Sequence, residues 1–257
     1  MSTGNIRAVL FDLGETLIDF GKVDRTRVFW QGARRSYDFL KGQRQPVGCF
    51  ALYFMENLVH LRWQNLRSHW TCRDFDVLEL FERVGTRKGI CLQPAEWEQV
   101  AWLWYQPLAE VATTEPGLPG TLARLKDLGL KLGILSNTFV PASSLDKHLA
   151  QAGLLEFFPL RLYSYQYRFR KPDPEIFRLA AECLDEPVEH ILYVGDRIDL
   201  DIQPALAVGM QAALKTAYTN AGKHPPAGAR TIEHMAELPG LIEAISMTLK
   251  KRDLPSQ

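Results

Sequence analysis

Residues 116–138 read PGLPGTLARLKDLGLKLGILSNT. This stretch holds one helix, its stop and the strand that follows. Pro119 suits a first helical turn, where its missing N–H is not needed. Leu122, Leu125 and Leu128 recur at helical spacing and give one apolar face. Gly129 is placed to end that helix. Leu130 to Leu135 is then an apolar run with little alternation, ending at Ser136. Such a run suits a parallel strand buried on both faces.

The same grammar recurs on either side. Upstream, IRAVLF (6–11) is a first strand that stops at Asp12. Downstream, a helix is expected over 142–152, ended near Gly153, then a strand over 160–165. KPDPEIFRLAAECL (171–184) opens a helix after two prolines, and HILYV (190–194) is a strand ending at Gly195-Asp196. A helix over 202–208 closed by Gly209, a strand over 211–215, an edge element near Ile232 and a last helix around 240–250 complete the pattern. AGKHPPAGAR (221–230) reads as a surface loop. Strands alternating with helices predict an α/β fold, a Rossmann-like parallel sheet with right-handed crossovers.

Residues 20–111 differ in texture. They carry all six tryptophans, and FALYFMENLVHLRWQNL (50–66) has a helical period. The expectation is an inserted α-helical cap of four or five helices, with 1–19 and 112–257 forming the core. Most of the tryptophans are read as the cap's own apolar interior. Trp102 and Trp104 lie two apart and cannot share one helix face, so one is expected to reach the cleft or a dimer partner.

Composition bounds the function. The 257 residues carry 30 Lys and Arg against 30 Asp and Glu, so the net charge is zero. That argues against a generally basic nucleic-acid binder. At 46% hydrophobic and 23% charged residues the chain is of ordinary globular composition. No apolar run is long enough to span a bilayer, and the N-terminal stretch does not read as a secretory signal. The four cysteines form no CxxC pair, so free thiols in a reducing cytosol are expected, with no zinc site. The six histidines show no HxH or HxxxH spacing, and a homodimer is left open.

Ligands of open parallel sheets bind beyond the carboxyl ends of the strands. Asp12, Ser136 and Asp196 each stand directly after a predicted strand. A lone Asp12 would read as a helix N-cap. Asp196 alters that reading: a second carboxylate at a neighbouring strand tip would repel the first unless a cation lies between them. Mg²⁺, which takes carboxylates, carbonyl oxygen, water and substrate phosphate, fits. Ser136 and Lys171 offer a donor and a point charge to a phosphoryl group, and Asn137 adds an amide. Asp19 and Asp24 flank the expected hinge into the cap, where opening would gate substrate entry.

VLFDLGETL (9–17), GILSNT (133–138), RKPDPEIF (170–177) and YVGDRIDLDIQPALAVGM (193–210) together resemble the four motifs of the haloacid dehalogenase superfamily. The likeness covers about 1–19 and 112–220 and is to phosphatase-like members with a helical cap between the first two motifs. It implies Asp12 as a nucleophile forming an aspartyl-phosphate. It implies Mg²⁺ held by Asp12, the Gly14 carbonyl and Asp196. Asp201, with Asp199 as a further candidate, would hold the metal's waters or orient Lys171. Ser136 and Lys171, with Asn137, would bind the phosphoryl oxygens, and Thr16 would brace the loop after the nucleophile. The GDRIDLDI string is similar to that of sugar and glycolate phosphatases, retaining the acidic metal site that true haloacid dehalogenases lack.

One position departs from the pattern. Family phosphatases usually carry Asp two residues after the nucleophile, as acid to the leaving group and base to water; here it is Gly14. Three readings stay open: the leaving group needs no acid, Glu15 or a cap carboxylate substitutes, or turnover is slow or absent. The expected activity is Mg²⁺-dependent hydrolysis of a small phosphorylated metabolite. Metal-free dehalogenation and a weakly active binding protein are the rivals.

Overall fold

The computed structural model describes residues 5–252. Six strands form one parallel sheet: β1 (Ala8–Phe11), β2 (Lys131–Ser136), β3 (Leu160–Tyr163), β4 (Ile191–Gly195), β5 (Gln211–Lys215) and β6 (Arg230–Ile232). Their order is β3-β2-β1-β4-β5-β6. β1 lies centrally, with Leu10 in register with Gly133 on one side and Tyr193 on the other.

Every residue of β1 is buried. Val9 and Phe11 join one apolar cluster, Ala8 and Leu10 the opposite one. Helices therefore cover both faces, which is why the strand shows no alternation. The first cluster takes Leu122 of α5 (Leu118–Asp127), Leu149 of α6 (Ala142–Gln151) and Ile242 of α9 (Leu238–Arg252). The second takes Phe177 of α7 (Pro174–Leu184) and Ala205 of α8 (Gln203–Ala207).

Several expected elements are shifted. β1 begins at Ala8, two residues late, although the Arg7 N–H still donates to the His190 carbonyl. β3 stops at Tyr163 because Ser164 turns its hydroxyl inward, accepting from the Thr138 N–H at 2.9 Å. The helix expected over 202–208 is preceded by a wide π-type turn, Ile198–Ile202, in which the N–H groups of Asp201 and Ile202 both donate to the Arg197 carbonyl.

The chain between β1 and α5 is helical: α1 (Arg25–Gly42), α2 (Phe50–Thr71), α3 (Val77–Arg87) and α4 (Pro94–Val111). Asp24 caps α1 by accepting from the N–H groups of Thr26 and Arg27. Gly32 lets α1 lie directly on α4, since a Cβ there would stand 2.4 Å from the Trp104 carbonyl oxygen. Tyr37, Leu80, Phe81, Trp97 and Trp104 fill a third apolar cluster. At the root of this segment Asp19 and Thr113 exchange two backbone hydrogen bonds.

The tryptophans correct the sequence reading. Trp97, Trp102 and Trp104 are buried, but Trp30, Trp63 and Trp70 are 48%, 60% and 74% exposed. On α2 the residues Leu52, Met55, Val59, Trp63, Leu66 and Trp70 form one stripe at helical spacing that faces outward. Period alone locates an apolar stripe; it does not say which side of the helix has a neighbour. Trp102 faces α6, with the Lys147 ammonium 4.3 Å from its ring centroid, whereas Trp104 lines the cleft. Among the described residues no helix is long and apolar enough to cross a membrane. All four cysteines are free and exposed.

α4 meets α6 through a hydrogen bond of 2.8 Å between the Tyr105 hydroxyl and His148 Nδ1. Burial holds the His148 pKa below its ordinary value. The unfolded chain therefore takes up a proton near pH 6.5 that the folded chain refuses. Stability owed to neutral His148 is full above that pH and is lost as pH falls toward the folded pKa. Chemical denaturation at pH 7.5 and 5.5 should show a smaller loss in His148→Gln than in the wild type.

Candidate active site

The tips of β1, β2 and β4 carry the chemistry. Asp12 follows β1 and is held by its N–H donating to the Val194 carbonyl at 2.9 Å. Asp196 follows β4 and is 2% exposed. Asp201 arrives from the wide turn and is fully buried. One carboxylate oxygen from each of the three lies within 4.8 Å of the others. Gly195 makes this approach possible, because a Cβ there would stand 2.6 Å from Asp201.

Lys171 reaches in from the loop before α7 and is 2% exposed. Its ammonium lies 2.8 Å from Asp12 Oδ1, 2.6 Å from Asp201 Oδ1 and 2.9 Å from the Tyr193 hydroxyl. Asn137 fixes the lysine backbone from both sides: its Oδ1 accepts from the Lys171 N–H at 2.8 Å, and its Nδ2 donates to the Lys171 carbonyl at 2.7 Å. Burial opposes the lysine charge, but Asp12 and Asp201 outweigh it, and the pKa is raised.

The acids feel burial most. It raises the pKa of Asp12 against the pull of Lys171, raises Asp196, and pushes Asp201 up to about 6. One ammonium does not balance three buried carboxylates. A divalent cation would. The donors are all oxygen, three carboxylates, and Gly14 lines the same cavity, which suits a hard cation such as Mg²⁺.

Asp12, Gly14, Ser136, Asn137, Lys171, Asp196 and Asp201 line one cavity of about 350 Å³. Two expected residues stand apart from it. Asp199 is exposed and pairs with Arg197 at 2.8 Å. Thr16 is buried in the loop after β1, and its hydroxyl has no hydrogen-bond partner among the described residues. Asp201 bonds to Lys171, Tyr193 and the Arg197 N–H, which ties it to the lysine.

Glu15 also lines the cavity. It sits in the left-handed region at φ 56°, and its Oε1 accepts from the Phe20 N–H at 3.3 Å and the Tyr218 hydroxyl at 3.4 Å. Burial, with Asp19 nearby, raises its pKa to about 7. No carboxylate of residues 20–111 lines the same cavity, so Glu15 is the acid there outside the triad.

Sequence reasoning missed three supporting residues and left a fourth, Arg170 in the basic patch of Arg168, Arg170 and Lys171, undecided between phosphate attraction and solvation. Tyr193 bridges Lys171 and Asp201 from inside β4, where a tyrosine in an apolar strand reads as packing. Thr219 donates to the Asp196 carboxylate, and Asn220 to its carbonyl at 2.8 Å, from a loop with no motif. Arg170 lines the cavity and pairs at 2.5 Å with Asp74, from the α2–α3 loop. Only its position beside Lys171 hinted at this.

A family model for haloacid dehalogenase-like hydrolases matches residues 6–209. The chain belongs to that family of hydrolases, and its helical segment between β1 and β2 is the family's cap. It is 33% identical over 246 residues to a glyceraldehyde 3-phosphate phosphatase of Pyrococcus furiosus, covering 93% of each chain. It is 30% identical over 192 residues to an (S)-2-haloacid dehalogenase of Pseudomonas sp. (strain YL), covering 74% of each. Against three other curated phosphatases the match spans only 39%, 62% and 56% of the relative's length. In fold it is similar to a HAD-hydrolase of Bacillus subtilis solved bound to magnesium, with a TM-score of 0.55 and 21% identity over 93% of this chain and 99% of that one.

Proposed function

We propose that this hydrolase is a Mg²⁺-dependent phosphomonoesterase acting on a phosphorylated small molecule through Asp12. The observation that carries this reading is the meeting of Asp12, Asp196 and Asp201 within 4.8 Å beside a buried ammonium. A dehalogenase attacking carbon needs one carboxylate; a cluster of three calls for a cation, and a cation suits a phosphate dianion. The phosphatase and magnesium-bound relatives point the same way.

In this reading a carboxylate oxygen of Asp12 attacks phosphorus, the ester P–O bond breaks, and the leaving oxygen departs as the alcohol, taking its proton from Glu15 or from water. Water then cleaves the acyl phosphate, releasing inorganic phosphate and restoring Asp12. Lys171 and Ser136 hold the phosphoryl oxygens, and Asp201 with Tyr193 positions Lys171. Asn137 acts through the lysine backbone. Asp12, Asp196 and the Gly14 carbonyl would hold Mg²⁺, which when bound would supply charge neutralisation to the phosphoryl group. Residues 1–19 and 112–257 are then the hydrolytic core, and 20–111 the cap over it.

A panel of phosphate esters assayed with Mg²⁺ and with chelator tests this. Phosphate release should require Mg²⁺, fall to background in chelator and return on adding the metal. Halide release from 2-haloacids that persists in chelator and survives Asp196→Asn would establish the dehalogenase reading instead.

A further inference from the structure

A second cavity of about 390 Å³, within the size range of small-molecule sites, adjoins the first. Glu15, Phe20, Tyr105, Leu108 and Val140 line both. Its walls come from both sides of the cleft: Phe29, Leu61, Phe81, Ala101 and Trp104 from the cap helices, and Phe139 from the loop after β2. Of its eighteen lining residues only Glu15 and Arg25 are charged.

Arg25 is exposed, and the aromatic polar groups on these walls already have partners, the Tyr218 hydroxyl donating to Glu15 at 3.4 Å. The Trp104 Nε1–H donates to the Tyr53 hydroxyl at 3.3 Å, and the Tyr105 hydroxyl is bonded to His148. A sugar or short hydroxy acid seated here would leave its hydroxyls without partners, which costs binding energy. An apolar group would gain by leaving water and would meet aromatic rings.

We propose that the preferred substrates are phosphate monoesters whose alcohol half is a bulky apolar group, aromatic or long alkyl, seated against Trp104, Phe29 and Phe139. This rests on the phosphomonoesterase reading and names the substrate class for the same site. The reaction consumes one water and gives the free apolar alcohol and inorganic phosphate.

The test is a homologous series of 1-alkyl monophosphates from propyl to heptyl, assayed with Mg²⁺. Leaving-group chemistry stays nearly constant along the series, so kcat/KM reports the cavity. It should rise roughly fourfold per methylene, the scale of burying one CH₂. Ala101→Phe, which fills the cavity, and Phe139→Asn, on a side chain 37% exposed and so tolerant of change, should each flatten that slope. Turnover with a flat or falling slope in the wild type overturns the apolar substrate class and leaves the phosphatase reading standing. A natively folded protein that hydrolyses no ester in Mg²⁺ overturns both.

Discussion

Asp12→Asn folds like the wild type and loses phosphatase turnover by roughly 10⁵–10⁶-fold, the scale seen when a covalent nucleophile is removed. The carboxamide has the same shape, but its oxygen is a poor nucleophile toward phosphorus. The fold should not suffer, because the backbone bond from Asp12 to Val194 is kept. Lys171 is not orphaned, since Asp201 stays 2.6 Å from its ammonium. Taking one negative charge from three crowded acids also removes repulsion. In chelator the melting temperature should therefore match or exceed that of the wild type. Acid-quenched single turnovers should show a phosphoenzyme in the wild type and none in the variant. A phosphoenzyme that survives in Asp12→Asn would move the nucleophile elsewhere.

The sheet was readable because burial on both faces leaves an unmistakable trace: IRAVLF and KLGILS hold no alternation, and a polar residue stands at the same end of each, Asp12 directly after the first and Ser136 closing the second. The residues at those edges are brought together by topology alone, which places β1 between β2 and β4. The cap resisted reading because its decisive facts are non-local. The apolar stripe of α2 looks like core in one dimension, and only the packing of α1 against α4 leaves it facing outward among the described residues. Asp201 is a similar case. The family resemblance left it between a metal role and a lysine role. The wide turn at Ile198–Ile202, with the bare Cα of Gly195, carries it under Lys171. Tyr193 and Thr219 left no trace, because a hydroxyl's partner depends on which strand or loop lies beside it.

Gly14→Asp should raise kcat by roughly 10²–10⁴-fold on alkyl phosphates, the usual worth of a placed general acid. The position can accept the side chain. A Cβ at Gly14 would meet only the Phe20 ring, at 3.5 Å, which is ordinary contact, and Gly14 is not among the residues with positive φ. The gain should shrink on p-nitrophenyl phosphate, whose leaving group departs without a proton. Under the proposed function Glu15, the carboxylate that lines the cavity outside the triad, would be the group to do this work in the natural chain, from a left-handed backbone and with its Oε1 accepting from the Phe20 N–H and the Tyr218 hydroxyl. Glu15→Gln should therefore lower kcat on alkyl phosphates in the natural background by roughly tenfold or more. In the Gly14→Asp background the same change should have little effect, because the new acid stands closer to the leaving oxygen. A double-mutant cycle on kcat reads this directly: strong coupling marks two groups sharing one proton-transfer task, and additivity would give Glu15 a separate role. If Gly14→Asp leaves kcat unchanged on alkyl phosphates while folding normally, proton transfer to the leaving group is not what limits this enzyme.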